Sequence, residues 1–230
     1  METNKKNWTV ISLGGSLIVP EEVDFDFLKL FVEVLKKGIS RGENFAIITG
    51  GGKVCRKYND ALKKVVNPTS IDLDSLGIYA TRLNAELVRI CLEDVAEPVI
   101  FFDPTNVFLT GKSVLVGGGW KPGHSSDGSA VALAQTLGAK KLVNLSNIDY
   151  VYTDDPKKNP EAKKIEKINW EEFRKLLPES WNPGINTPFD PVAAKMAQDL
   201  NIEVAVMNGK NLENFENYLE GKEFLGTVIN

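Results

Sequence analysis

The chain has 230 residues, of which 43% are hydrophobic and 25% charged, and its formal net charge is −4 at pH 7. This length and mixture fit a globular protein with a sizeable core, and the acidic balance disfavours a nucleic-acid binder, which usually carries a basic face. No apolar run approaches the roughly 18 residues of a membrane span, and no signal peptide is evident, so we expect a cytoplasmic protein without membrane contact.

The first 40 residues contain one strand signal and one helix signal. The short apolar run "WTVISLGG" is stopped by two glycines, which predicts a buried strand followed by a tight loop. Asp24 fits the N-cap of the helix that follows, and Gly38 fits the position just beyond its end. Helical spacing is seen in this segment for four apolar residues, Phe25, Leu28, Val32 and Leu35.

The alternation of strand and helix signals continues to the end of the chain. After the strand "FAIITGGG", residues 53–66 predict a helix with an apolar stripe of Val54, Tyr58, Ala61, Leu62 and Val65. A longer helix is predicted in "LGIYATRLNAELVRICLEDV". Further strands are predicted in "PVIFF", "SVLVGGG", "KLVNLSN" and "EVAVMN", further helices in "DGSAVALAQTLGA", "NWEEFRKLL", "DPVAAKMAQDL" and "LENFENYL", and an edge strand in "GTVIN".

This alternation predicts an α/β fold with a mostly parallel central sheet between two helical layers. Ligands of such sheets bind beyond the carboxyl ends of the strands. Glycines follow a predicted strand at 14–15, 50–52 and 117–119, so we expect the three clusters to meet at one edge of the sheet. No low-complexity linker or internal repeat divides the chain, and its length suits one large domain or two tightly fused lobes.

The three glycine clusters favour a site for a polyphosphate. Glycine lets backbone N–H groups approach an anion closely, and a following helix contributes its positive N-terminal end. Lys53 and Arg56 lie in the first turn of the helix after the second cluster, where their charge opposes the helix dipole unless an anion offsets it. The usual P-loop and dinucleotide fingerprints are missing, because "TGKS" at 110–113 has Asn106 where a P-loop needs glycine.

The segment "GGGWKPGHSSDGSA" at 117–130 contains His124, the only histidine of the chain. One histidine cannot form a zinc site, and the sequence shows no nucleophile elbow that would pair with a histidine base. We therefore expect His124 to line a ligand, and we expect no metal held by protein side chains. Cys55 and Cys91 also lack metal-ligand spacing and are interpreted as small buried side chains in a reducing compartment.

Six segments in this order resemble the amino-acid-kinase superfamily, and most closely its archaeal-type uridylate (UMP) kinase branch: "SLGGS", "GGGKVCRKY", "LGIYATRLNA", "GGGWKPGHSSD", "LSNIDYVYTDDPKKNPEAKKI" and "DPVAAKMA". The resemblance implies one three-layer α/β/α domain, with an acceptor part over about 1–138 and an ATP part over about 139–230. It also implies transfer of a phosphoryl group from ATP to UMP in pyrimidine nucleotide biosynthesis, with Mg²⁺ as cofactor. Members usually form hexamers, so a homo-oligomer is expected.

The resemblance also implies roles for particular residues. Those matched to the UMP site are Gly51, Asp74, Trp120, Lys121, Pro122, Gly123, His124, Ser125 and Ser126, with Asp74 holding the sugar. Those matched to the ATP site are Ser12, Leu13, Gly14, Gly15, Ser16, Gly52, Arg56, Ser146, Asn147, Tyr152 and Asp155. Those matched to catalysis are Lys53, Asp127 and Lys195, with Lys195 near the donor phosphates and Asp127 at the start of a helix, as its cap or as an organiser of catalytic groups.

Three departures from the family pattern bear on this expectation. Ser12 stands where many members have a lysine, two residues before the first glycine pair, which leaves positive charge to Lys53, Lys195 and Mg²⁺. Tyr150 replaces the glycine of the family's "DGVY", and a positive φ there would strain the turn and alter the nucleotide pocket. Trp120 adds an aromatic ring near the start of the loop matched to the acceptor nucleotide, residues 118–126, which we call the acceptor loop.

Two other functions stay open on the sequence alone. One is a family kinase with a different acceptor, such as a carboxylate, carbamate or isopentenyl phosphate, although Asp74 and the full acceptor loop favour a nucleoside phosphate. The other is a non-catalytic nucleotide-binding protein on the same fold, which the loss of the first-strand lysine favours. A dehydrogenase is disfavoured because its glycine fingerprint is missing.

Overall fold

The structure is a computed structural model that describes residues 7–178 and 187–230. Within these residues the strands are β1 (Trp8–Leu13), β2 (Asn44–Thr49), β3 (Val114–Gly117), β4 (Lys141–Ser146), β5 (Val151–Tyr152), β6 (Lys164–Ile165), β7 (Lys167–Ile168), β8 (Glu203–Asn208) and β9 (Thr227–Ile229). The helices are α1 (Gly15–Ile18), α2 (Phe25–Ser40), α3 (Gly52–Val65), α4 (Ser70–Cys91), α5 (Ser126–Leu137), α6 (Trp170–Lys175), α7 (Pro191–Asp199) and α8 (Leu212–Leu219).

Seven strands form one twisted sheet in the order β3-β2-β1-β4-β8-β9-β7, and β5 pairs with β6 in a small antiparallel sheet. The five strands from β3 to β8 run parallel to one another, whereas β9 runs antiparallel to β8. None of the helices in the described part of the chain combines the length and apolar character that a membrane crossing requires.

Successive residues of the central strands point into two different apolar cores, as expected for a pleated strand. Ile11 of β1 packs in a core with Phe31 of α2 and Phe215 of α8. Val10 points to the other face, into a core shared with Val131 of α5 and with residues of α6 and α7. Helices therefore cover both faces of the sheet, and the predicted three-layer α/β/α fold class is confirmed.

The carboxyl ends of the parallel strands lie at the same edge of the sheet. Leu13 at the end of β1 is paired with Thr49 of β2 and with Leu145 of β4. Gly117 at the end of β3 is paired with Ile48 of β2. The expectation that the three glycine clusters follow strands at one edge is therefore confirmed.

The helix α2 begins where the sequence predicts but extends further. Asp24 accepts a hydrogen bond from the Phe27 backbone nitrogen at 2.9 Å, as an N-cap does. Gly38 lies inside the helix instead of beyond its end, and it is needed for packing, because a Cβ there would lie 2.7 Å from the Phe45 ring. Phe25 is 72% exposed, so the buried face is shifted from the predicted one. That face consists of Phe27, Leu28, Phe31, Val34, Leu35 and Gly38.

Two strand predictions are wrong in detail. The segment "PVIFF" forms no strand, and only single bridges such as Phe101 to Gly117 connect this region to β3. Its residues alternate poorly between core and solvent, since Val99 is 69% and Phe102 56% exposed. The C-terminal strand β9 is not at the edge, because β7 pairs with its outer side.

Most of the apolar stripe predicted for α3 does not face a core, although Val54 packs against the core that contains Phe31. None of the residues of this helix is buried, and Tyr58 and Val65 are 60% and 80% exposed. The reason is that α3 packs mainly against α4 and α1 and does not lie on the sheet. The apolar residues Tyr58 and Val65 therefore form part of an exposed surface and do not belong to a core.

Candidate functional site

The first two glycine clusters are in direct backbone contact. A Cβ added at Gly15 would lie 2.1 Å from the backbone nitrogen of Gly52 and 2.5 Å from the carbonyl carbon of Gly50. Gly52 has a φ of +59°, and a Cβ there would lie 2.2 Å from the carbonyl oxygen of Gly15. The loops after β1 and β2 can therefore meet only because both positions are glycine.

The third glycine cluster is connected to this junction through α4. The backbone nitrogen of Gly119 donates to Thr81 Oγ1 at 2.6 Å, and a Cβ at Gly118 would lie 2.7 Å from the same oxygen. One turn further along α4, Asn84 donates from Nδ2 to the carbonyl oxygen of Gly50 at 2.8 Å. The glycine clusters thus gather at one site, as the sequence predicts.

An open cavity of about 360 Å³ lies at this site. It is lined by Gly50, Gly51, Cys55, Asp74, Gly77, Ile78, Thr81, Gly119, His124, Ser125, Ser126, Asp127, Thr187 and Asp190. The residues come from the loop after β2, from α3 and α4, from the loop before α5 and from the start of α5 and α7. We call it the acceptor cavity.

The residues matched to the UMP site divide into two groups. Gly51, Asp74 and residues 124–126 line the acceptor cavity, whereas residues 120–123 lie outside its lining. The Asp74 carboxylate accepts a hydrogen bond from the Gly123 backbone nitrogen at 2.7 Å, so it also holds the loop. The Trp120 ring packs edge-on against His124 at 4.8 Å and carries Lys121 Nζ 3.9 Å from its centroid. Their contacts with a nucleotide stay predictions.

Asp127 does not cap α5. Ser125 is the N-cap and accepts from the Gly128 backbone nitrogen at 3.0 Å. The Asp127 carboxylate turns inward, where it accepts hydrogen bonds from Ser12 Oγ at 2.9 Å and from the Asp190 backbone nitrogen at 3.1 Å. Loss of hydration raises the pKa of Asp127 to about 6, and the two hydrogen bonds oppose that rise.

The raised pKa of Asp127 predicts a pH-dependent stability. The folded protein binds this proton more tightly than the unfolded chain, so the contribution of Asp127 to stability is fully present below about pH 4 and is lost as the pH rises through about 6. We expect the unfolding free energy of the wild type, minus that of an Asp127→Asn variant, to fall by roughly 1–2 kcal/mol between about pH 4.5 and 7. Urea unfolding of the nucleotide-free proteins measures this difference, and a pH-independent difference would contradict the assignment.

The three basic residues predicted near the phosphates differ in their surroundings. Lys53 is in an ion pair with Glu21, with Nζ 2.9 Å from Oε1. Arg56 is exposed. The hydrogen bond from Lys53 lowers the pKa of Glu21, and the charge of Arg56 adds a smaller effect in the same direction. Burial raises the pKa of Cys55, and the charge of Arg56 opposes that rise. Lys195 is exposed on α7. Lys53 would have to leave Glu21 in order to reach a phosphate.

Two loops that carry residues matched to the ATP site lie next to each other. A Cβ at Gly14 would lie 3.6 Å from Cα of Ser146, so the loops after β1 and β4 are adjacent. Ser146 Oγ is buried without a hydrogen-bond partner, an unsatisfied group that a ligand could satisfy. Leu13 is fully buried, and Asn147 and Asp155 are exposed. Ser16 and Tyr152 are half-buried.

The substitution of tyrosine for glycine in "DYVY" causes no backbone strain. In the described part of the chain, Asn201 is the non-glycine residue with a positive φ, so Tyr150 is not in the left-handed region. Its ring lies under Lys164 Nζ, 4.9 Å from the centroid. The condition for a strained turn, a positive φ at position 150, is therefore not met.

Several residues near the site were not singled out from the sequence. Thr81 and Arg82 bind the acceptor loop from α4, and Asp190 contacts Asp127 from the N-cap of α7. The pair Asp190–Pro191 was a recognisable helix start, whereas the contacts of α4 are tertiary and leave no local signal. The two cysteines are not buried as expected, since Cys55 is half-buried in the cavity wall and Cys91 is exposed.

Comparison with known proteins agrees with this geometry. Residues 7–208 match the model of the amino acid kinase family. The chain is 37% identical to a uridylate kinase of Pyrococcus abyssi over 224 residues, which cover 96% of this chain and 98% of the relative. It is 34% identical to a uridylate kinase of Hyperthermus butylicus, covering 97% and 98% of the two chains.

Solved structures give the same result. The crystal structure of a uridylate kinase from Archaeoglobus fulgidus superposes with a TM-score of 0.84 at 28% identity, covering 96% of this chain and 99% of that one. A UMP kinase from Bacillus anthracis, at 20% identity, shares the fold with a TM-score of 0.78, covering 97% and 96% of the two chains. With a matching family model over most of its length and relatives above 30% identity, the chain belongs to the amino acid kinase family.

Proposed function

We propose that this chain is a uridylate kinase, which transfers the γ-phosphoryl group of ATP to UMP and gives UDP and ADP in pyrimidine nucleotide biosynthesis. One observation carries the proposal: a single cavity joins Gly51, Asp74 and residues 124–126 directly beside the junction of Gly15 and Gly52. The activity named for the archaeal relatives supports the choice of acceptor.

The proposed reaction needs no general base. The second pKa of a phosphate monoester is about 6, so the attacking oxygen of UMP is already ionised at neutral pH. Phosphoryl transfer has a loose transition state, and catalysis consists mainly of positioning two polyanions and neutralising their charge. A site formed largely by glycine loops, with Lys53 and Arg56 on the adjoining helix α3 and a single histidine in the chain, suits this chemistry.

The acceptor part of the domain, about residues 1–138, would bind UMP. We assign the sugar to Asp74, and we assign the uridine and phosphate contacts to Gly51 and residues 124–126. Ser125 and Ser126 lie at the N-terminus of α5, where backbone N–H groups and the helix dipole favour an anion. We interpret residues 120–123 as the outer part of the same loop.

The donor part, about residues 139–230, would bind ATP with Ser146, Asn147, Tyr152 and Asp155. Its phosphates would meet UMP at the loops formed by residues 12–16 and 52. Mg²⁺ would arrive with ATP as the substrate complex and would supply positive charge that neutralises the phosphates. Arg56, Lys195 and a released Lys53 would supply further positive charge, and Asp127 would orient Ser12 at the end of β1.

The experiment that tests the proposal is an ADP-release assay with MgATP and a panel of acceptors: UMP, CMP, AMP, acetylglutamate, carbamate and isopentenyl phosphate. We expect ADP release with UMP, together with UDP identified by anion-exchange chromatography. Phosphorylation of another acceptor without UDP formation would replace the proposed substrate. Nucleotide binding without any ADP release would favour a non-catalytic nucleotide-binding protein, the reading that Ser12 in place of the usual lysine supports.

We also propose that the protein forms a homo-oligomer, which we expect to be a hexamer. Exposed apolar side chains on α3 and α4 support self-association, among them Tyr58, Val65, Tyr79 and Leu83, each at least 60% exposed. Light scattering at micromolar concentration measures the mass, and a monomer would contradict this proposal. We further propose a cytoplasmic location, a compartment in which cysteines such as Cys55 and Cys91 stay as free thiols.

A further inference from the structure

The guanidinium of Arg82 on α4 hydrogen-bonds the loop before α5 and lies against two aromatic rings, while its buried Nε has no hydrogen-bond partner. Its Nη2 donates to the carbonyl oxygen of Trp120 at 2.9 Å. Its Cζ lies 4.7 Å from the ring centroid of Phe102 and 5.8 Å from that of Tyr79. These contacts restrain the guanidinium, and a lysine would keep the charge without the planar group that spans both rings and the carbonyl.

Arg82 is one of three residues by which α4 holds the acceptor loop, residues 118–126. Thr81 Oγ1 accepts from the Gly119 backbone nitrogen, and the Asp74 carboxylate accepts from the Gly123 backbone nitrogen. Positions 74, 81 and 82 differ by seven and eight residues, so they lie on one face of the helix. Of the three, Thr81 and Asp74 line the acceptor cavity, whereas Arg82 does not.

The carbonyl that Arg82 holds belongs to a residue whose ring supports His124. The Trp120 and His124 rings are 4.8 Å apart with an interplanar angle of 65°, an edge-to-face contact. Hydrogen bonds from Thr105 are the main cause of the lowered pKa of Asp103, and a weaker interaction with the Trp120 side chain acts in the same direction. His124 lines the cavity, and its Nδ1 is buried without a hydrogen-bond partner, so it is available to a ligand.

We infer that Arg82 is a positioning residue for the acceptor nucleotide: by fixing the Trp120 carbonyl it sets the Trp120 ring, and through that ring it aims the His124 imidazole into the acceptor cavity. The inference rests on the proposed function only in taking UMP as the acceptor. Arg82 itself touches neither nucleotide. Its loss therefore weakens binding on the acceptor side and leaves the donor side unchanged.

The test compares Arg82→Met and Arg82→Lys with an Arg89→Met control. Arg89 lies two turns further along the same helix, where its guanidinium pairs with Glu86. Steady-state kinetics give KM for UMP, KM for ATP and kcat. Isothermal titration calorimetry with UMP alone and ATP alone gives the two binding constants, and thermal unfolding gives Tm.

We expect Arg82→Met to raise KM and Kd for UMP about tenfold or more, the usual effect of losing a charged hydrogen bond, with the Kd for ATP changed less than about twofold. Arg82→Lys should recover only part of the UMP affinity, because the charge returns without the planar fork. Arg89→Met should bind UMP like the wild type at a similar Tm.

Three results would overturn the inference. UMP affinity of Arg82→Met equal to that of Arg89→Met would remove the role, and so would equal loss of UMP and ATP affinity, which indicates general destabilisation. If Arg82→Met does not fold, full UMP affinity in Arg82→Lys would refute the need for the planar fork. Failure of the proposed function is recognised separately, because it appears in the wild type. If the wild type binds UMP but forms no UDP, the proposed function fails and the calorimetric comparison of the Arg82 variants still holds. If the wild type does not bind UMP, the proposed function and the role of Arg82 both fail.

Discussion

A Gly15→Ala variant is expected to form no measurable UDP. The added methyl group would lie 2.1 Å from the Gly52 nitrogen and 2.5 Å from the Gly50 carbonyl carbon, distances that backbone atoms cannot tolerate. The loops after β1 and β2 must therefore separate, at a cost of about 3 kcal/mol, and the glycine junction opens. UDP formation measured by chromatography and stability measured by urea unfolding report the two effects.

Gly42→Ala is the matched control for this variant. Gly42 has a φ of +93°, but nothing lies within 4 Å of a Cβ built there. The control therefore carries the cost of a strained backbone, about 1–2 kcal/mol, without a clash and far from the glycine junction. We expect it to keep wild-type turnover at reduced stability. Wild-type turnover in Gly15→Ala would show that the junction is not needed for the reaction.

Arg56→Ala is expected to lower kcat for UDP formation by about 10²- to 10³-fold with the fold intact. Arg56 is exposed in the first turns of α3, directly after the cavity residue Cys55, so its loss removes no core packing. In the reaction its guanidinium would neutralise charge that develops on the transferring phosphoryl group, and loss of one such donor has this size of effect. Steady-state kinetics and circular dichroism measure activity and fold.

Two further variants separate charge, geometry and general surface effects. Lys57→Ala removes the next positive charge on α3, where Lys57 pairs with Glu22, and we expect nearly unchanged turnover. Arg56→Lys keeps the charge but loses the bidentate fork, so an intermediate kcat is expected. Equal turnover in Arg56→Ala and Lys57→Ala would exclude Arg56 from the mechanism.

Local signals explain how much of the fold could be predicted. Buried strands are recognisable as short apolar runs. Helix starts are recognisable from residues such as Asp24 and Asp190, whose side chains accept a hydrogen bond from a backbone N–H in the first turn. The glycine clusters could be predicted to share one edge because parallel strands end together. These features depend on residues close in sequence or on a general rule of sheet topology.

Features that depend on tertiary packing could not be predicted. The stripe of α3 has the spacing of a core face, but the helix packs on α4 and α1, so Tyr58 stays exposed. Gly38 looks like a helix end and instead makes room for the Phe45 ring. Ser125 caps α5, whereas the Asp127 carboxylate turns inward to accept a hydrogen bond from Ser12, which lies 115 positions away in the sequence.

The proposed function requires the glycine loops to hold two nucleotides with their phosphates facing each other at one junction. Calorimetric titration with a dinucleoside pentaphosphate that joins adenosine to uridine tests it most directly. We expect one molecule bound per chain, tighter than UMP or ATP alone, and complete loss of binding for both nucleotides once it is bound. Undiminished binding of UMP or of ATP to the saturated protein would mean that the two sites are separate, and would contradict the claim.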